Sequence, residues 1–184
     1  NAPERVPIAG LPESVTVYEV GPRDGLQNEA RTVPTAIKAE FVRRLLAAGL
    51  PVVEATSFVR PSWVPQLADA EDVVGALADA DQDRLAVLVP NERGLDRALV
   101  AGVHRVAVFA SATEAFARRN LNRGLDAQFD MFAPTMGRAR ERGLRVRAYV
   151  SMCFGDPWEG AVDPGRVVEV GQRLIDLGAD ELSL

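Results

Sequence analysis

Leu45-Leu46-Ala47-Ala48-Gly49-Leu50-Pro51-Val52-Val53-Glu54-Ala55-Thr56-Ser57-Phe58 carries an apolar helix into a β-branched strand across one glycine. The same junction returns at Val100-Ala101-Gly102-Val103, Arg142-Gly143-Leu144 and Leu177-Gly178-Ala179. Each time a helix should end at a C′ glycine and the next strand should begin within a few residues. Outward from the first junction, Ile37, Phe41, Leu45 and Leu46 are spaced as one apolar helix face over 36–48. Strands are expected over 15–20, 51–58, 85–89, 105–110, 144–152 and 180–184. Further helices are expected over 64–80, 93–101, 125–142 and 164–177. Pro134 should kink or break the helix that holds it, and Pro164 suits a first helical turn. Strands rich in Val, Leu and Ala that alternate with helices argue a parallel sheet. The regular spacing favours a TIM (β/α)8-type barrel, of which the chain holds five β/α units and the start of strand six. An open doubly wound sheet remains possible on periodicity alone. Residues 1–14 read as a leader, and 15–184 as the N-terminal part of one barrel domain.

The 184 residues, 47% hydrophobic and 26% charged, suit a soluble globular domain with a real core. The net charge of −5 offers no broad positive field to nucleic acid or to an anionic membrane. No apolar run nears the ~18 residues that a spanning helix needs. The single cysteine, Cys153, excludes an intrachain disulfide and fits a reducing compartment. Lys38 is the only lysine beside many arginines, a skew expected of a GC-rich bacterial genome, so a bacterial cytoplasmic protein is expected.

In a barrel, chemistry sits at the C-terminal ends of the strands. Strand one delivers Gly21-Pro22-Arg23-Asp24-Gly25-Leu26-Gln27-Asn28-Glu29 there. Arg23 could stabilise an oxyanion and Asp24 could ligate a hard metal; a surface salt bridge in a polar turn is the plainer alternative. Glu54 lies inside an apolar strand, where a carboxylate needs a partner, and Arg23 is the natural one. Strict alternation sets Glu54, Thr56 and Phe58 on one face, with Val53, Ala55 and Ser57 on the other. Glu19 needs a cation too, for which Arg147 is the candidate. Residues 111–122 read as a long polar loop over the barrel mouth, suited to an acyl or CoA group. His104, at the start of strand four, and Cys153, with no histidine near it in the pattern, read as structural.

Glu19-Val20-Gly21-Pro22-Arg23-Asp24-Gly25-Leu26-Gln27-Asn28-Glu29 resembles the strand-one signature of 3-hydroxy-3-methylglutaryl-CoA lyases. Val53 to Val59, Trp63-Val64-Pro65-Gln66, Val89-Pro90-Asn91, Thr113 to Phe116 with Asn120 and Asn122, Tyr149-Val150-Ser151 and Glu181 to Leu184 are similar in order and spacing. The likeness runs from about Val15 onward. Related Claisen-type synthases usually carry glutamate at the position of Leu26.

The resemblance implies a carbon–carbon lyase of leucine degradation or ketone-body formation that needs Mg²⁺ or Mn²⁺ and takes a small-molecule acyl-CoA. It implies Asp24 as a metal ligand, Arg23 as the enolate stabiliser and Glu54 as the group holding Arg23. Gln27, Ser57 and Ser183 become polar lining, with Asn120, Asn122 and Arg147 as further substrate-binding candidates. A homo-oligomer is compatible with all of this. The His-x-His pair, the asparagine and the glycine-loop cysteine that complete such sites have no counterpart here. Activity is therefore expected of a longer parent, not of this stretch alone. A condensing acyltransferase acting on an oxo-acid, and a non-catalytic half-barrel, are the alternatives.

Overall fold

The computed structural model describes Gly10 and residues 12–184. The expected leader thus lies largely outside the described residues. Six strands, β1 (Tyr18–Glu19), β2 (Val52–Ser57), β3 (Leu85–Leu88), β4 (Arg105–Ser111), β5 (Arg145–Ser151) and β6 (Glu181–Ser183), form one sheet in sequential order. Every pairing is parallel. The helices between them are α1 (Thr35–Ala47), α2 (Ala70–Ala76), α3 (Glu92–Val100), α4 (Glu114–Leu121), α5 (Ala127–Glu141) and α6 (Pro164–Asp176).

The first junction shows why the repeat works. Gly49 sits at φ +92°, a conformation that side chains disfavour. There its N–H reaches Leu46 O at 3.1 Å and Leu50 N–H reaches Leu45 O at 3.3 Å, which closes α1 and turns the chain into β2. The other three junction glycines also have positive φ.

The sheet is curled, and the open-sheet alternative falls on that geometry. Neighbouring strands lie ~4.8 Å apart, so β1 and β5 would stand roughly 19 Å apart in a flat sheet. Yet the Arg147 guanidinium of β5 lies 4.1 Å from the Tyr18 ring centre of β1. Tyr149 of β5 likewise reaches Glu54 of β2. The concave face therefore holds Tyr18, Glu54, Arg147 and Tyr149. The convex face meets the helices: Val53, Ala55 and Leu85 pack with Ala39 and Val42 of α1 and Val73 of α2. A larger cluster joins Val106, Val108, Val146 and Val150 to Leu95, Phe132, Met136 and Leu174.

Several expectations are corrected. The first strand is only Tyr18–Glu19, and Val15 and Val17 are exposed. On α1, Ala39 and Val42 face the core, while Ile37 is 58% and Phe41 36% exposed. The helix expected over 64–80 divides into a 3-10 turn, Pro65–Leu67, and α2. Lys38 explains the division: its ammonium takes the Gln66 carbonyl and binds Asp69 Oδ1 at 2.6 Å, while the Thr35 hydroxyl binds Asp69 Oδ2 at 2.6 Å. The Gln66 side chain is also engaged, accepting from Val33 N–H and donating to Arg31 O, both at 2.9 Å. The expected polar loop contains α4. α5 runs through Pro134 unbroken; Pro134 and Asp130 are both exposed, so the carbonyl that loses its partner faces water.

A β-bulge overturns the strict alternation in β2. Glu54 pairs with Ala86 but Thr56 with Val87, so the chain gains a residue at Ala55. Ser57 then pairs with Leu88 on the concave side, and Phe58 joins the helix-facing cluster. No helix of the described residues is long and apolar enough to cross a membrane.

The Lys38 network ties the approach to α1 to the approach to α2. Lys38→Met should destabilise the chain by about 2–4 kcal/mol, since it strands the Gln66 carbonyl and takes the cation from Asp69, which keeps only the Thr35 hydroxyl. Urea denaturation of both forms measures it; a change under ~0.5 kcal/mol, the usual size of surface effects, would show that the network carries no stability.

Candidate active site

β1 ends in a tight helical turn, Gly21–Gly25, that lifts Arg23 and Asp24 above the C-terminal ends of the strands. Glu19 anchors the turn, accepting Gly21 N–H at 2.6 Å. The expected Glu19–Arg147 pair does not form. Glu19 pairs in register with Val53 and shares its helix-facing side, whereas Tyr18 faces the interior. Arg147 bonds Glu181 instead and lies between Tyr18 and Tyr149.

Arg23 and Glu54 meet as expected. Arg23 Nε donates to Glu54 Oε1 at 2.5 Å, and Arg23 Nη1 donates to Asp24 Oδ1 at 2.7 Å. Glu54 is fully buried. Its other oxygen, Oε2, accepts the Tyr149 hydroxyl at 2.9 Å, and the Arg23 guanidinium lies 5.7 Å from the Tyr149 ring centre. Burial pushes the Glu54 carboxyl up, against the opposing pull of Arg23 and the Tyr149 hydroxyl. Burial opposes the Arg23 charge, but Glu54, with Asp24 and Tyr149 adding to it, holds that pKa above its ordinary value. Burial, then Glu54, also raise Tyr149, so its hydroxyl stays a donor. The salt bridge expected as the plainer alternative, Arg23 with Asp24 in the polar turn, is present, but the same guanidinium is also bound to the buried Glu54.

A cleft of about 780 Å³ opens above this group. Arg23, Asp24, Gln27, Asn120, Asn122 and Ser183 all line it. Asn120 comes from α4, and Asn122 ends that helix in the left-handed conformation, φ 54°, which asparagine tolerates. Two candidates stand elsewhere. Ser57 is buried, its hydroxyl donating to Leu88 O at 3.3 Å. Arg147 lines a separate pocket of about 190 Å³ with Arg105, Arg145 and Asp180, towards the N-terminal ends of the strands. Tyr149 is the member that residue-by-residue reading missed; its alternation with Arg147 and Ser151 along β5 was the available signal.

Asp24 is 56% exposed beside the cleft. Among the described residues no three His, Cys, Asp or Glu side chains converge to hold a metal. Asp24 has Oδ1 engaged by Arg23, which leaves Oδ2 as the one carboxylate oxygen it could offer a hard cation. His104 pairs with Asp83 at 2.9 Å at the opposite end of the sheet. Cys153 is buried, donates to Val150 O at 2.9 Å, and burial pushes its thiol up.

A curled parallel β/α sheet with its polar cleft at the strand C-termini defines the greater part of a TIM-type barrel. A family model described as HMGL-like matches residues 14–184, and the chain belongs to that family. It is 49% identical over 175 residues to the mitochondrial hydroxymethylglutaryl-CoA lyase of Arabidopsis thaliana, covering 95% of this chain and 37% of that protein. With the cytoplasmic 3-hydroxy-3-methylglutaryl-CoA lyase of Rattus norvegicus it shares 45% identity over 183 residues, 100% of this chain and 53% of the relative. The crystal structure of hydroxymethylglutaryl-CoA lyase from Pseudomonas aeruginosa superposes with a TM-score of 0.90 at 43% identity, over 95% of this chain and 58% of that one. An HMG-CoA lyase from Acinetobacter baumannii, solved with coenzyme A and 3-methylmalate, gives 0.83 at 28% identity, over 91% and 54%. The chain thus spans about half the length of most of these relatives.

Tyr149→Phe removes one of the two donors to a buried carboxylate. A loss of about 1–3 kcal/mol in thermal or urea unfolding is expected; unchanged stability would show that Glu54 is satisfied without Tyr149.

Proposed function

We propose that this chain is the N-terminal part of a single (β/α)8 barrel domain, residues 15–184, whose intact protein cleaves 3-hydroxy-3-methylglutaryl-CoA to acetyl-CoA and acetoacetate. The observation that carries the reading is Arg23, held from behind by buried Glu54 and standing in the cleft wall beside Asp24. The chain's likeness to hydroxymethylglutaryl-CoA lyases, one of them solved with coenzyme A, supports it. Exposed apolar residues on the two outermost helices, Ile37 and Phe41 on α1 and Val168 and Ile175 on α6, support a domain that continues past both edges of the sheet.

In the proposed reaction the tertiary hydroxyl gives up its proton and becomes the ketone of acetoacetate. The carbon–carbon bond breaks, and its electron pair passes into the thioester enolate of acetyl-CoA, which then takes a proton on carbon. Arg23 offers N–H donors to the enolate oxygen where negative charge develops. Glu54 and Tyr149 fix the guanidinium beforehand, so no reorganisation is needed during the reaction. Gln27, Asn120, Asn122 and Ser183 supply polar groups for the carboxylate and thioester ends of the substrate; Ser57 and Arg147 act from behind, through packing and pairing. Asp24 is this chain's ligand for Mg²⁺ or Mn²⁺, which when bound supplies Lewis acidity to the substrate oxygens. The buried free thiol of Cys153 supports a cytoplasmic setting, and the arginine excess a bacterial one.

Two measurements test the proposal. In the intact protein, Arg23→Gln should lower kcat by ~10²–10³-fold, with KM little changed, because its charge is needed mainly in the transition state. An intact wild-type protein that does not cleave the acyl-CoA would overturn the function, and a mutant within a few-fold of wild type would overturn the role of Arg23. Mn²⁺ titration by calorimetry should show Asp24→Asn weakening binding by at least about tenfold, roughly 1.4 kcal/mol; equal affinity would remove Asp24 from the metal site.

A further inference from the structure

α4 forms the wall of the cleft that carries Asn120 and leads to Asn122, yet little in its own sequence fixes it. It is eight residues long and, among its residues, only Ala117 is buried. So short a helix is not stable by itself. Its N-cap residue, Thr113, makes no side-chain cap bond. Instead the Thr113 hydroxyl donates to Asp156 Oδ2 at 2.6 Å, in the loop after β5.

That loop supplies what the helix lacks. Asp156 is buried, and its Oδ1 accepts the N–H groups of Trp158 and Glu159 at 2.7 and 2.8 Å. Asp156 and Gly160 exchange both backbone hydrogen bonds at 2.8 Å, closing a tight loop with Gly160 at φ +81°. The loop so shaped points Glu159 at α4, where Oε1 accepts the otherwise unpaired Ala115 N–H at 2.5 Å. Trp158 packs 6.4 Å from the Phe116 ring and lies 4.3 Å from the Arg119 guanidinium. Three separate ties therefore run from 156–160 to α4: one to its cap residue, one to its first turn and one along its exposed side.

We propose that Asp156 is a positioning residue for the cleft. It shapes the 156–160 loop so that Glu159 caps α4 from outside the helix, and this holds Asn120 and Asn122 in the cleft wall. Asp156 does not itself line the cleft. Arg23 stands on another element with its own buried anchor, so loosening α4 weakens substrate binding and spares the bond-breaking step. The kinetic half of this inference rests on the acyl-CoA reading above; the structural half does not.

The test uses Asp156→Ala and Asp156→Asn in the intact protein. Asparagine keeps an oxygen for the Trp158 and Glu159 N–H groups and can donate its amide N–H to the Thr113 oxygen. Amide hydrogen exchange without ligand should rise from Ala117 to Leu121 in Asp156→Ala and stay near wild type in Asp156→Asn. Steady-state kinetics should show KM for the acyl-CoA up about tenfold in Asp156→Ala with kcat within about twofold, the pattern of lost uniform binding, and restoration in Asp156→Asn. Unchanged exchange in Asp156→Ala, a fall in kcat at constant KM, or an asparagine variant as impaired as the alanine one overturns the proposal. If Asp156→Ala does not fold, Glu159→Ala carries the same expectations and the same refutations, because it frees Ala115 N–H and leaves the loop closed. A wild-type protein without acyl-CoA cleavage refutes the functional reading instead, and the exchange comparison still decides whether the loop holds α4.

Discussion

A carboxylate with no access to water organises this chain. Glu54 lies within β2, and a buried charge is costly unless it is paired and hydrogen-bonded. Its two oxygens draw Arg23 from the turn after β1 and Tyr149 from β5. The three groups come together only if the sheet curls, because β2 and β5 are three strands apart in the sheet. Arg147, seated between Tyr18 and Tyr149 and bonded to Glu181, adds a second polar layer across the same concavity. Ionic and aromatic contacts thus fill the concave side, while the convex side is sealed by aliphatic packing against the helices.

That division places function. The polar layer stiffens the base of the cleft, so Arg23 presents charge from a fixed position and not from a mobile surface side chain. The rim is built differently, from segments joined by side chain to backbone bonds. Gln66 and Lys38 join the segment before α1 to the turn before α2. Asp156 and Glu159 join the loop after β5 to α4. All of these bonds except the one from the Thr113 hydroxyl to Asp156, which joins two side chains, satisfy a backbone group that the local helix or turn leaves open.

The sequence alone determined the alternation of strands and helices, the glycine junctions and the pairing of Arg23 with Glu54. These follow from local rules: a C′ glycine ends a helix wherever it stands, and a carboxylate inside an apolar strand requires a cation nearby in the fold. Only the tertiary structure decided the rest. The bulge at Ala55 reversed the faces expected for Ser57 and Phe58, because register depends on how β3 packs and not on β2 itself. The 64–80 helix was divided by an ammonium arriving from α1. α4 was read as a loop, since its local signals, Thr113 before an acidic first turn and the Glu114–Arg118 pair, are weak in so short and polar a helix, and its first turn is capped from another loop. Tyr149 entered the site, and Arg147 left the cleft, for a reason no single strand contains: curvature brings β5 over β1 and β2, and that curvature is a property of the whole sheet.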